Sequence, residues 1–319
     1  VAEALGISKT TVSRAISGKG RIGEETKQRV LEYIKVNDYK PNPLAKGLAN
    51  SRTYNIGWAM PDDSTATDAP FFLRCTMGIA KEAIQKDYDI LNILLHNEDI
   101  SQLRRVVENR KVDGVILGRT LVKDKGIAFL KESGIPFVVI GSTQEKNVIQ
   151  IDNDHIKACK ELTSKLLKKG NKKLALIGGD MKHVVNQTRK KGFEKGLKAQ
   201  GINPKEAFFF VDREKREEIE SAVEEAVTGG AECLVCMDDR ICYTVLAKLH
   251  KDNILVPDRV KVASFYNSQI IQNHQPEITA LQYDPKELGA VAFRTLYEMI
   301  QGEKAVEKVL LGYQIRMTD

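Results

Sequence analysis

From Asn55 onward this 319-residue chain alternates short, β-rich apolar runs with amphipathic helical stretches, and that rhythm limits the fold more than any other feature. The apolar runs lie at 55–60, 90–95, 112–117 and 137–140, and again at 173–177, 207–211, 233–237 and 260–265. A helix-like stretch or a turn follows each one. Such βαβ repetition predicts parallel sheets with helices on both faces. Two sets of four predict two similar lobes. Ligands of open parallel sheets bind beyond the carboxyl ends of the strands, so a cleft between the lobes is the expected pocket.

The first fifty residues follow a different pattern. Ser8-Lys9-Thr10-Thr11-Val12-Ser13-Arg14 comes after a short apolar stretch and a turn at Gly6. Ser8 suits an N-cap, because its hydroxyl can accept from a free backbone amide. Val12 and Ile16 fall on one face with Ala15 beside them, while Lys9, Thr10, Ser13 and Arg14 fall on the other. This is a helix-turn-helix pattern whose polar face carries donors for phosphate oxygens and purine edges. A third helix is predicted over 24–37, with an acidic start at Glu24 and Glu25 that suits the helix dipole, and with Val30, Leu31 and Ile34 inward. Residues 1–52 hold ten Lys or Arg against five Asp or Glu, whereas the rest of the chain is close to neutral. An excess of this kind marks a nucleic-acid-binding head on a neutral body.

A short helix is predicted over 43–50. Asn42 can cap it, and Pro43 stands at the favoured first position. Gly47 costs it about 1 kcal/mol relative to alanine, and a helix this short is marginal in water. It is therefore expected to fold only when something holds it.

These segments resemble the LacI/GalR family of bacterial transcription regulators. The likeness rests on Leu5-Gly6-Ile7-Ser8, Thr11-Val12-Ser13-Arg14, Tyr39-Lys40-Pro41-Asn42 and Leu48-Ala49. It continues through Ile56-Gly57, Pro70-Phe71-Phe72, Asp152-Asn153, Arg189-Lys190-Lys191-Gly192-Phe193, Asp238-Asp239 and Glu287-Leu288-Gly289. The resemblance implies an all-α helix-turn-helix head over 1–40, a hinge helix and linker over 41–53, and an α/β body over 54–319 like that of periplasmic sugar-binding proteins. Lobe 1 would hold 54–152 and 285–311, and lobe 2 would hold 153–282 and 312–319. The family's first helix usually begins several residues before the point at which this chain starts, so the resemblance implies a first helix cut short at Val1.

The resemblance also implies a homodimer on a near-palindromic double-stranded DNA operator. Lys9, Thr10 and Arg14 would reach base edges, with guanine the usual partner of the arginine. Ser8, Thr11, Ser13, Ser17 and Arg21 would hold phosphates, which position without specifying. Asn42, Ala45 and Leu48 belong to the hinge set, and Leu48 would wedge between base pairs at the minor-groove dyad. In the body, Arg189 would reach effector hydroxyls or carboxylates; the alternative is a solvated charge at a helix start. Asp154 is either an acceptor for a ligand hydroxyl or the N-cap of the next helix. Phe72 either lines the cleft or packs within its lobe. Arg119 is a second cationic contact or an exposed loop charge. Asp239 is expected to cap the helix after residue 239, which leaves Asp238 for the ligand. Tyr266 stands where sugar-binding members place an aspartate, and Tyr283 where glutamine is frequent. These departures weaken the case for a free hexose and point to a less common sugar, a sugar phosphate or another small polar metabolite.

Other classes find less support. No GxGxxG, GxxxxGK[ST] or G-x-S-x-G segment is present, so nothing prompts an enzyme reading, and no cofactor or catalytic residue is expected. An exported solute-binding protein would fit the body alone. Control by a phosphoprotein corepressor instead of a metabolite is a further alternative. No apolar run has the length of a membrane span and no secretory leader is visible. Five cysteines with no disulfide framework suit reducing cytoplasm. Cys233 and Cys236 form a lone CxxC in a predicted strand, where residues three apart face opposite ways. With five scattered histidines, no metal site is expected.

Overall fold

The computed structural model describes residues 1–18, 20–38, 52–62, 69–96 and 98–318. The chain forms two compact units, Val1–Thr53 and Tyr54–Asp319. The hinge segment predicted at 43–50, with Asn42, Ala45 and Leu48, lies outside the described residues, as does the Ser17 side chain.

Three helices make the described part of the first unit: α1 (Ala2–Leu5), α2 (Lys9–Ser17) and α3 (Glu24–Val36). Gly6 ends α1 and Gly18 ends α2, both left-handed, with φ of 63° and 69°. A glycine adopts that conformation without the Cβ penalty. The Ser8 side chain accepts from the Thr11 amide at 3.0 Å and also bonds the Thr11 hydroxyl at 2.8 Å. Val12, Ala15 and Val30 form the small core, with Leu5, Ile7, Ile22 and Ile34 packed around it.

Two residues expected inward are not. Ile16 is 39% exposed and Leu31 is 42% exposed. The buried seam of α2 passes from Val12 to Ala15, three residues on, and Ile16 is turned about 100° beyond it. Leu31 is displaced by the same angle from Val30. Removing the cap should loosen the helix that carries the basic face. Ser8→Ala is expected to cost α2 about 1 kcal/mol, seen as faster hydrogen exchange at the Thr11 and Val12 amides.

The second unit holds two six-stranded sheets. The first sheet contains β1 (Asn55–Pro61), β2 (Asp89–Leu95), β3 (Gly114–Leu117), β4 (Phe137–Ile140), β5 (Ile149–Asn153) and β11 (Lys308–Leu311). Their spatial order is β11-β5-β4-β3-β1-β2, and every pairing is parallel. The second sheet contains β6 (Leu174–Ile177), β7 (Phe208–Phe210), β8 (Cys233–Cys236), β9 (Lys261–Ser264), β10 (Thr279–Gln282) and β12 (Gln314–Arg316). Its order is β12-β10-β9-β8-β6-β7, and only the β10–β12 pairing is antiparallel. β3, β4, β6 and β8 are buried at every residue, as parallel strands covered on both faces must be.

The first sheet is covered by α4 (Ala69–Ile84), α5 (Ser101–Glu108), α6 (Lys125–Ser133) and α12 (Pro285–Ile300). α7 (His155–Lys168), α8 (Val184–Lys198), α9 (Arg216–Thr228), α10 (Asp239–Lys251) and the short α11 (Gln269–Gln272) belong to the second. The chain passes from the first sheet to the second between β5 and α7. It returns between β10 and α12, and crosses again between β11 and β12. Gly78 of α4 and Gly289 of α12 lie where the two helix backbones approach most closely. All five cysteines are buried and unbridged. Burial pushes the Cys233 thiol up to about 12, which leaves it an inert core side chain. Among the described residues, no helix is long and apolar enough to cross a membrane.

Candidate functional site

In the first unit, Ser8, Lys9, Thr10, Ser13, Arg14 and Arg21 are exposed and Thr11 is half-buried. Lys9, Thr10, Ser13 and Arg14 share the face of α2 opposite the buried Val12 and Ala15. The Arg14 side chain lies along Gly20, where an added Cβ would stand 3.2 Å from its Nε. A glycine there lets the arginine stem rest on the loop. The surface thus carries hydroxyl, ammonium and guanidinium donors at the amino end of a short helix.

In the second unit a cavity of about 700 Å³ opens between the sheets, lined by both lobes. Its wall comes from the carboxyl ends of strands in both sheets: Gly118–Thr120 after β3, Gly141 after β4, Asp152 and Asn153 ending β5, Gly179 after β6, Asp238 after β8, Tyr266 after β9 and Tyr283 after β10. At the rim the lobes touch through backbone. The Val122 amide donates to the Lys182 carbonyl at 2.9 Å, and the Val184 amide donates to the Thr120 carbonyl at 3.2 Å.

Phe72, Arg119, Arg189, Asp238, Tyr266 and Tyr283 all line this cavity. Phe72 packs edge-on against Phe71, with ring centroids 5.2 Å apart, and the Arg119 guanidinium stands 5.6 Å from the Phe72 centroid. Arg189 on α8 is only 8% exposed, and its Nε is buried with no hydrogen-bond partner. A buried unmatched donor is costly. Tyr266 stacks on Tyr283, with centroids 6.3 Å apart and planes within 12°, and Phe71 meets Tyr266 edge-on across the lobes. Burial holds both phenols well above their ordinary pKa, so they are neutral donors at physiological pH.

Two expectations are corrected. Asp154 is not in the cavity wall; its carboxylate accepts from the Lys157 amide at 3.0 Å and caps α7. The first free amides of a helix compete for that carboxylate and hold it back from the cleft. The cap of α10 is Asp238, in place of the expected Asp239. Asp238 caps α10 by accepting from the Ile241 amide at 2.8 Å, while Asp239 is the first helical residue and is nearly buried. Both line the cavity.

Asn153 and His155, which no motif marks as ligand contacts, also line the cavity. Asn153 ends β5 and is 3% exposed, and its Oδ1 has no hydrogen-bond partner. Its place beside Asp152 at the expected crossing was the available signal. His155 is buried beside it, with Nδ1 3.2 Å from the Tyr283 hydroxyl and Nε2 3.4 Å from Asp152 Oδ1. Asp152 also accepts from the Ser142 hydroxyl at 2.8 Å. Burial would raise the Asp152 carboxyl, but His155 and the hydrogen bonds from His155, Ser142 and the Asn153 amide hold it below its usual value. This chain ties the first crossing, at Asp152 and His155, to the second, at Tyr283. At the rim, Asp180, His183 and Glu214 bring one possible ligand atom each within 4.8 Å of one another, a grouping not visible in the spacing.

A helix-turn-helix head joined to a two-lobed α/β body with its cleft at the strand ends defines a class, the DNA-binding regulators that carry a binding-protein fold. Comparisons place the chain within it. A family model described as periplasmic binding proteins and sugar binding domain of LacI family matches residues 53–315. Another, described as bacterial regulatory proteins, lacI family, matches residues 1–42. Catabolite control protein A of Streptococcus mutans serotype c is 29% identical over 322 residues, covering 99% of this chain and 95% of that protein. The lac repressor dimer bound to operator and the anti-inducer ONPF superposes with a TM-score of 0.81 at 18% identity, over 98% of this chain and 95% of that one. The transcriptional regulator CelR in complex with cellobiose gives a TM-score of 0.73 at 21% identity, over 99% and 97%. The chain belongs to the LacI family of bacterial regulatory proteins and is a DNA-binding transcription regulator.

Proposed function

We propose that this protein is a cytoplasmic, non-enzymatic repressor that binds a near-palindromic operator as a homodimer and releases or tightens its grip when a small sugar or sugar derivative occupies the cleft. The observation that carries the reading is the pairing of an exposed donor face on α2 with a cleft between two lobes that holds a buried arginine lacking a partner at Nε. In this reading residues 1–40 are the DNA-binding head, 41–53 the hinge and 54–319 the effector-binding and dimerisation body. Lys9, Thr10 and Arg14 read base edges. Ser8, Thr11, Ser13, Ser17 and Arg21 hold phosphates, and Asn42, Ala45 and Leu48 serve the central minor groove. In the body, Phe72, Arg119, Arg189, Asp238, Tyr266 and Tyr283 contact the effector. The neighbour solved with cellobiose and the one solved on its operator support ligand and partner of these kinds.

The test is fluorescence-anisotropy titration of the full chain against genomic fragments and random duplex. A subset of fragments is expected to bind far more tightly than random DNA, with affinity that drops steeply as salt rises. Arg14→Ala should weaken that subset by about ten- to a hundredfold, the loss of one good base contact, and change random-duplex binding much less. Equal binding to every duplex, with or without added sugars, would remove the reading.

A further inference from the structure

We infer that the cleft is built for a neutral oligosaccharide of two or more rings and against phosphorylated or acidic sugars; this rests on the cleft being the effector site. Three observations carry it.

The first is that two buried polar atoms of the lining, on different lobes, are left unmatched. Arg189 Nε is a donor on lobe 2, and Asn153 Oδ1 is an acceptor at the end of β5 in the first sheet. A ligand that satisfies both must offer an acceptor and a donor. Hydroxyl groups do so, since each has one O–H and two lone pairs. An ionised phosphate or carboxylate group seated between the two only accepts, so it would satisfy Arg189 and set its charge against the Asn153 carbonyl oxygen. The lone arginine would suggest an anion; the asparagine opposes that choice.

The second is charge. The described lining holds eight carboxylates and five Lys or Arg side chains. Arg189 shares the wall with Asp152, Asp238 and Asp239. The Asp152 carboxyl is held below its usual pKa by His155 and its hydrogen bonds, against burial, so it stays charged at neutral pH. Glu98, Glu214, Lys125 and Lys182 are exposed and screened by solvent; the six carboxylates and three arginines that remain set net repulsion against an added anion where screening is weaker.

The third is size and surface. About 700 Å³ is within the range of pockets that enclose a drug-sized molecule, and it exceeds what one pyranose ring fills. The aromatic surface is divided between lobes. Phe72, with Arg119 over it, lies on the first, and the Tyr266–Tyr283 stack lies on the second. Phe71 joins them, edge-on to Phe72 and to Tyr266, so the aromatic surface runs across both lobes over more than the span of one ring, and the neutral Tyr266 phenol offers a donor where a carboxylate would only accept.

The experiment is isothermal titration of the full chain, at one salt concentration, with maltose, cellobiose, maltotriose, glucose and glucose 6-phosphate. At least one of the first three is expected to bind tenfold or more tightly than glucose and than glucose 6-phosphate. Asn153→Leu should weaken that ligand by at least tenfold. Asn153→Asp, which retains acceptor oxygens at the same place, should keep the neutral ligand within a few-fold and keeps the test readable if leucine unfolds the crossing. Tighter binding of glucose 6-phosphate than of the neutral sugars, or unchanged affinity in Asn153→Leu, overturns the ligand class and leaves the effector cleft standing. A panel in which no sugar binds and none shifts operator affinity removes both.

Discussion

Gly289→Ala is expected to lower the thermal midpoint of the protein by roughly 2–6 °C, although alanine is the better helix former by about 1 kcal/mol. A Cβ at this position would lie well under 3.0 Å from the backbone of Cys75 on α4, and a Cβ at Gly78 would meet the Lys286 carbonyl of α12 in the same way. The obstacle is main chain, so no rotamer change relieves it and the helices must separate. Overpacking in a tight core costs about 1–3 kcal/mol and sometimes more, and this contact underlies the packed faces of Cys75, Ile79, Leu288, Ala292 and Phe293. Differential scanning calorimetry checks it. A midpoint that rises would mean that the groove opens and that helix propensity decides the outcome.

Arg189→Met is expected to shift the response to effector to concentrations about ten- to a hundredfold higher and to leave operator binding in its absence unchanged. Methionine keeps much of the arginine's length and apolar bulk but removes the guanidinium. Hydrogen bonds to a charged group contribute about 1.5–3 kcal/mol, so effector affinity should fall about ten- to a hundredfold. Stability should be level or slightly raised, because a buried charge with an unmatched donor is replaced by an apolar chain. Paired melting curves and operator titrations decide it. A lower midpoint with an intact effector response would make Arg189 a structural group.

Where strands run through the middle of a sheet, the sequence was easy to read. Val115 to Leu117, Val138 to Ile140 and Leu234 to Cys236 are apolar without interruption because both faces are covered. β5, β10, β11 and β12 were harder. They sit at the crossings and edges, where Gln150, Asp152, Gln282, Lys308 and Arg316 interrupt the apolar pattern. The same crossings supply Asn153, His155 and Tyr283, so the residues hardest to place as strand or helix ends are also those that face the cleft.

The sequence by itself determined the kinds of element and their alternation, the Ser8 cap, the basic head and the family, because each rests on neighbours within a few residues or on order along the chain. Tertiary structure alone decided that Asp154 serves a helix while Asn153 faces the cleft, that Asp238 and not Asp239 is the cap, and that Ile16 and Leu31 point outward. Each of those outcomes depends on the angle at which one element leaves another, and on which distant groups then compete for the same side chain.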